Sequence, residues 1–113
     1  MRIAAARARP LRLRFARPVT TARGVFTARA IVLLELRDQA GCVGYGEAAP
    51  WPGFGTETAE EAGALLDAAA ALLCDLELQP GHWTPDLSAL LQHAPAARAA
   101  LQGALWDLAA RRA

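Results

Sequence analysis

The apolar residues of this chain change period once, and that change limits what it can fold into. Leu11-Arg12-Leu13-Arg14-Phe15 alternates strictly, as a half-buried strand does, whereas Ala62, Leu65, Leu66, Ala69, Leu72 and Leu73 recur every 3.6 residues. Strands come first and helices follow, with no return to a strand period. The fold class is therefore α+β, and the 113 residues suffice for a single domain, residues 1–113.

Three strands are expected. The first runs from about Ile3 to Phe15, interrupted at Pro10 in the manner of an edge strand or bulge. Residues 18–24 read as a loop, and Ala30 to Leu36 as the second strand. Asp38-Gln39-Ala40-Gly41 is a turn, after which Cys42 to Glu47 returns, completing a three-stranded antiparallel meander.

Three or so helices follow. Thr58-Ala59-Glu60-Glu61 has the form of a capping box, with the Thr58 hydroxyl and the Glu61 carboxylate each satisfying a free amide, and this helix runs to about Leu76. Residues 78–83 break the pattern, and a short helix spans Thr84 to about Gln92. The last opens at Pro95, carries Ala97, Leu101, Ala104, Leu105 and Leu108 on one face, and ends on Arg111 and Arg112, which suit its negative pole. A sequence stopping at the end of an amphipathic helix reads as cut.

Composition excludes several chemistries. All twelve basic residues are arginine, so Schiff-base lysines and the lysine of a phosphate-binding P-loop are absent from this sequence. A hydrophobic fraction of 54% against 20% charged argues against disorder, and no run approaches the roughly 20 apolar residues that span a bilayer. Cys42 and Cys74 lack CxxC spacing and read as buried or half-buried thiols of a reducing, cytoplasmic compartment. The first 34 residues hold eight arginines and no acid. A transit peptide, a nucleic-acid arm or a solvated strand face would each carry such a run; the want of serine and the strict alternation favour the strand. Neither nucleic acid nor membrane is expected as a partner.

No catalytic set is complete. His82 and His93 have no metal-ligand spacing, Ser88 has no base beside it, and Glu57, Glu60 and Glu61 cluster where a helix dipole alone favours acids. Gly41, Gly44 and Gly46 do not open a helix, so they are no dinucleotide fingerprint. Glu47 either accepts amides of the next loop or faces a ligand. That loop, Ala48 to Gly55, carries Trp51 and Phe54 between two prolines and two glycines, and is either packed onto the domain or offered to a ligand or partner.

Gly44-Tyr45-Gly46-Glu47-Ala48-Ala49-Pro50-Trp51-Pro52-Gly53-Phe54, followed by Glu57-Thr58 and Glu60-Glu61-Ala62, resembles the N-terminal capping domain of the enolase superfamily. Within it the sequence is most similar to the o-succinylbenzoate synthases of menaquinone biosynthesis, from whose pattern it departs at Tyr45 and Trp51. The closing stretch from Pro95 to Arg111, with Ala104-Leu105-Trp106-Asp107-Leu108, matches the superfamily helix that precedes the barrel. The resemblance implies a capping domain over a TIM barrel that this sequence does not contain. In such a parent, barrel lysines abstract a proton alpha to a carboxylate and Mg2+ stabilises the intermediate, so neither catalytic residue nor metal ligand is expected here. The capping domain would supply two loops that close over a small-molecule carboxylate. One is about Thr20 to Arg29, with Thr21, and with Arg29 at the loop-to-strand junction either facing a substrate carboxylate or solvated. The other is Pro50, Trp51, Pro52, Gly53, Phe54 and Gly55, with Trp51 and Phe54 walling the substrate pocket. The implied parent is a lyase, inactive as this chain alone, with the C-terminal barrel as partner and a homodimer through the bare barrel-facing surface left open. Alternatives are the capping domain of a dipeptide epimerase or muconate cycloisomerase, and a free-standing α+β binding module.

Overall fold

The computed structural model describes residues 1–112. Strands β1 (Ile3–Thr21), β2 (Gly24–Asp38) and β3 (Val43–Ala48) form one antiparallel sheet in that spatial order. Helices α1 (Ala59–Leu73), α2 (Pro85–Leu90) and α3 (Pro95–Arg112) follow. The α+β meander-then-helices reading is therefore what the chain adopts.

Its first two strands are longer than their sequence suggests. β1 and β2 pair without interruption from Ala5–Arg37 to Arg14–Ala28, straight past Pro10 opposite Val32. Pro10 is tolerated because β1 is an edge strand with one row of unpaired amides. The register shifts fall instead at the two ends of that stretch, between Ile3 and Ala5 and between Arg14 and Val19, around Pro18. Residues 18–24 are thus no loop: Val19, Thr20 and Thr21 pair with Phe26, Val25 and Gly24, leaving Ala22 and Arg23 as a two-residue turn. Gly24 makes the turn possible at φ 128°, a backbone region that side chains disfavour. The Thr21 hydroxyl closes it by accepting the Arg23 amide at 3.1 Å.

Unbroken register also fixes which face each arginine takes. Arg7 and Arg9 share a face with Leu11 and Leu13, while Arg12 and Arg14 lie on the opposite one. The basic strand is exposed but does not gather into one patch.

The core lies between the sheet and the helices. Val32, Leu34 and Leu36 of β2 are fully buried against Leu66 and Leu73 of α1 and Leu101, Leu105 and Leu108 of α3. β3 meets α3 through bare backbone. A Cβ at Gly46 would overlap the Ala100 carbonyl oxygen, and one at Gly44 would lie 2.6 Å from the Ala104 oxygen. The glycine pattern serves this close approach. On the free edge of β3 the Tyr45 amide donates to Asp107 Oδ2 at 2.8 Å. That bond, with Arg111 Nε 2.9 Å from the same oxygen, holds the Asp107 carboxyl below its usual range.

Helix ends explain the remaining departures. Thr58 caps α1 by accepting the Glu61 amide at 3.1 Å, but the Glu61 carboxylate accepts the Thr58 hydroxyl instead of reaching a backbone amide. α1 stops at Leu73, short of Leu76, because Asp75 turns left-handed at φ 64° and the chain leaves to exchange bonds with Ile3 on both sides. Glu57 belongs to no metal cluster. It is buried, and its two oxygens accept the Ala96 and Ala97 amides at 3.1 and 2.8 Å, capping α3 from a distant loop. Cys42 is half-buried and Cys74 is exposed, outside the buried or half-buried reading; both are free thiols. His82 and His93 are exposed.

Candidate substrate-facing groove

β3 ends at Ala48, opposite Val32, so β2 from Gly24 to Ile31 has no strand on that side. The segment that follows fills the gap with side chains. Two prolines and Gly55 at φ 93° bend Pro52–Phe54 into a single 3₁₀ turn, closed by Phe54 N–H to Trp51 O at 2.8 Å and Gly55 N–H to Pro52 O at 3.0 Å. Thr56 braces it: its hydroxyl accepts the Trp51 amide at 2.6 Å and donates to the Glu57 carbonyl at 2.8 Å.

The rings stack in series. Phe26 of β2 meets Trp51 edge-on at 5.2 Å between centroids, and Trp51 meets Phe54 in the same way at 5.7 Å. Each end of the Trp51–Phe54 pair carries a guanidinium: Arg29 lies 4.5 Å over the Trp51 ring and Arg23 lies 4.8 Å over Phe54. Arg29 also donates from Nη2 to the Ala49 carbonyl at 2.7 Å, and its buried Nε has no hydrogen-bond partner.

These groups wall a groove of about 540 Å3 between the β1–β2 hairpin, the aromatic turn and the start of α1. Of the residues expected there, Pro50, Trp51, Pro52, Gly53 and Arg29 line it. Phe54 stands outside as a support for Trp51 and is 65% exposed, and Gly55 forms the turn's left-handed end. Thr21 is spent on the hairpin turn and does not line the groove. Arg29 is no loop-to-strand junction residue but lies within β2. Arg23, Phe26 and, at the start of α1, the capping Thr58 and Glu60 also line the groove, none of them an expected site residue. Only the long hairpin, which two apparent breakers conceal in the sequence, brings the first two there. Glu47 is exposed, faces Leu33 of β2, and lines no part of it.

The groove offers an apolar aromatic wall lined also by two cations, Arg23 and Arg29, and by one carboxylate, Glu60. It can hold and orient a small anion with a carbon skeleton. No three His, Cys, Asp or Glu side chains among the described residues lie together as a metal site would require. Among the described residues no helix is long and apolar enough to cross a membrane.

A three-stranded sheet backed by helices on one face, with a lipped groove at its hairpin end, defines a capping-type α+β domain of the enolase superfamily. Residues 3–113 match the family described as mandelate racemase / muconate lactonizing enzyme, N-terminal domain, and the chain belongs to that family. It is 46% identical over 82 residues to an o-succinylbenzoate synthase of Thermosynechococcus vestitus, a match covering 72% of this chain and 22% of that protein. It is 36% identical over 95 residues to the L-Ala-D/L-Glu epimerase of Escherichia coli, covering 84% of this chain and 27% of that protein. The dipeptide epimerase of Methylococcus capsulatus, solved with Mg and the dipeptide L-Arg-D-Lys, superposes with a TM-score of 0.85 at 32% identity, over 99% of this chain and 32% of that one. The sequence thus spans about a quarter of the length of the curated relatives it matches.

Proposed function

We propose that this domain closes the substrate site of an o-succinylbenzoate synthase-like dehydratase. The hairpin tip and the 49–55 turn would cover a carboxylate substrate bound on a barrel supplied by residues outside this segment. The observation that carries the reading is the groove itself: an aromatic wall beside the cations Arg23 and Arg29, opening at the end of the sheet where Val25 and Phe54 remain exposed. The wall takes the carbon skeleton, the positive charge of Arg23 favours the carboxylate, and closure excludes water from the reacting centre. In this reading proton abstraction and Mg2+ binding belong to the barrel, the groove's one carboxylate, Glu60, having no second acid beside it in the groove lining, and this segment alone turns over no substrate.

A dipeptide epimerase is the second reading, favoured by a superposition that spans 99% of the chain on a protein solved with a dipeptide. The deciding experiment expresses the full gene and assays the product for Mg2+-dependent dehydration of a cyclohexadiene carboxylate and for epimerisation of dipeptides. Dehydration supports the first reading, and epimerisation without dehydration replaces it with the second. Neither activity, in a folded protein, would leave the domain as an interaction module.

A further inference from the structure

We infer that Arg29 is a positioning residue: it sets the Trp51 wall of the groove and is not itself the group that grips the substrate. The inference rests on the groove reading above. An arginine bound for a ligand carboxylate would present its planar fork to the cavity. Part of the Arg29 fork is committed elsewhere: Nη2 is bonded to the Ala49 carbonyl at 2.7 Å and the guanidinium carbon lies 4.5 Å over the Trp51 ring, while Nε is buried without an acceptor.

Those contacts reach the segment 49–51, which β3 no longer holds once it ends at Ala48. Arg29 therefore replaces strand pairing with one hydrogen bond to the backbone and one face-on contact to the ring two residues further on. Trp51 is fixed from the other side by Phe26 at 5.2 Å and by the Thr56 hydroxyl at its amide. Both β2 residues lie on the part of the strand that has no β3 neighbour, so the open edge of β2 acts as the template for the turn. A fork is needed for this. Lysine can reach one acceptor but cannot also lie flat on an indole.

The test uses the full-length protein and the variants Arg29→Met, Arg29→Lys, Trp51→Ala and the double variant Arg29→Met/Trp51→Ala. Hydrogen exchange is read at the Phe54 and Gly55 amides, whose bonds close the turn, with the α3 amides as a folding control. Arg29→Met is expected to speed exchange at those two amides about tenfold while α3 is unchanged. It should raise KM for the carboxylate substrate about tenfold with kcat within twofold, and Arg29→Lys should recover part of both. The double variant should bind no worse than Trp51→Ala alone, since Arg29 acts through Trp51. Unchanged exchange in Arg29→Met, or KM effects that multiply in the double variant, would overturn the proposal. Should Arg29→Met lower protection throughout α3, the Arg29→Lys exchange at Phe54 and Gly55 decides, faster exchange supporting the proposal and unchanged exchange overturning it. If Trp51→Ala leaves KM unaltered while Arg29→Met still loosens the turn, the groove reading fails and the positioning role stands.

Discussion

The two ends of the sheet are held in opposite ways. At one end β3 lies against α3 with backbone touching backbone, and Leu101, Leu105 and Leu108 are fully buried behind it. At the other, the hairpin tip and the aromatic turn meet through a few ring contacts and one arginine hydrogen bond, leaving Val25 63% and Phe54 65% exposed. Close-packed backbone leaves one arrangement, because any shift creates an overlap or a void. Ring edges resting on one another tolerate small displacements at little cost. The domain thus separates a fixed end from one that can adapt to what it covers.

The largest expected effect tests that contrast with a single methyl group. Gly46→Ala should destabilise the domain by about 3 kcal/mol or more, since the new Cβ overlaps the Ala100 carbonyl and only movement of α3 relieves it. Gly53→Ala, at the adaptable end, should stay within about 0.5 kcal/mol, because its nearest contact would be the Arg23 side chain at 3.5 Å. Denaturant unfolding of the two variants side by side measures both, and equal losses would break the comparison.

Glu57 is next. It joins the segment after the aromatic turn to the start of α3, so it ties the two ends together. Glu57→Ala strands the buried Ala96 and Ala97 amides and should cost about 2–3 kcal/mol in the same unfolding experiment. A loss under half a kcal/mol would mean that water replaces the carboxylate and that the tie is weak.

Trp51→Ala should cost about 1 kcal/mol of stability, since the ring is only half-buried, while weakening substrate binding in the full-length protein about tenfold. A stability loss comparable with that of Gly46→Ala would place Trp51 in the fixed end after all.

Much of the fixed end was legible in the sequence because one period governs each of its elements. The α3 face named from spacing alone, Ala97, Leu101, Ala104, Leu105 and Leu108, is the face that is buried. Glu57 was not legible as a cap, since its partners lie 39 and 40 residues away and a nearby helix start explained the acid locally. The adaptable end was read only in part. Trp51 stood out because a large ring in a proline-glycine loop needs a partner. Its partner Phe26, and Arg23 over Phe54, fall inside the expected Thr20 to Arg29 loop, but their placement on a paired hairpin stayed hidden because Pro18 and Gly24 mimic a loop, and only pairing with β2 carries β1 past that point. Local propensity is overridden there by the neighbouring strand.

The smallest expected effect asks whether the fixed end owes anything to charge. Asp107 accepts the Tyr45 amide of the β3 edge and pairs with Arg111, and both lower its carboxyl pKa from the usual 3.8. A carboxyl whose folded pKa lies below its unfolded one adds stability that is fully present above the unfolded value and is lost as pH falls through the folded one. The window therefore lies below about pH 4. At neutral pH Asp107→Asn should lose only a few tenths of a kcal/mol, because the carboxylate is a third exposed and solvent screens it while asparagine can still accept the Tyr45 amide. Thermal melts from pH 7 down to pH 2 should show the gap between the native protein and Asp107→Asn shrinking as the carboxylate protonates. A gap that persists in acid would assign the loss to altered packing of α3 on β3, placing even this contact with the backbone approach that Gly44 and Gly46 permit.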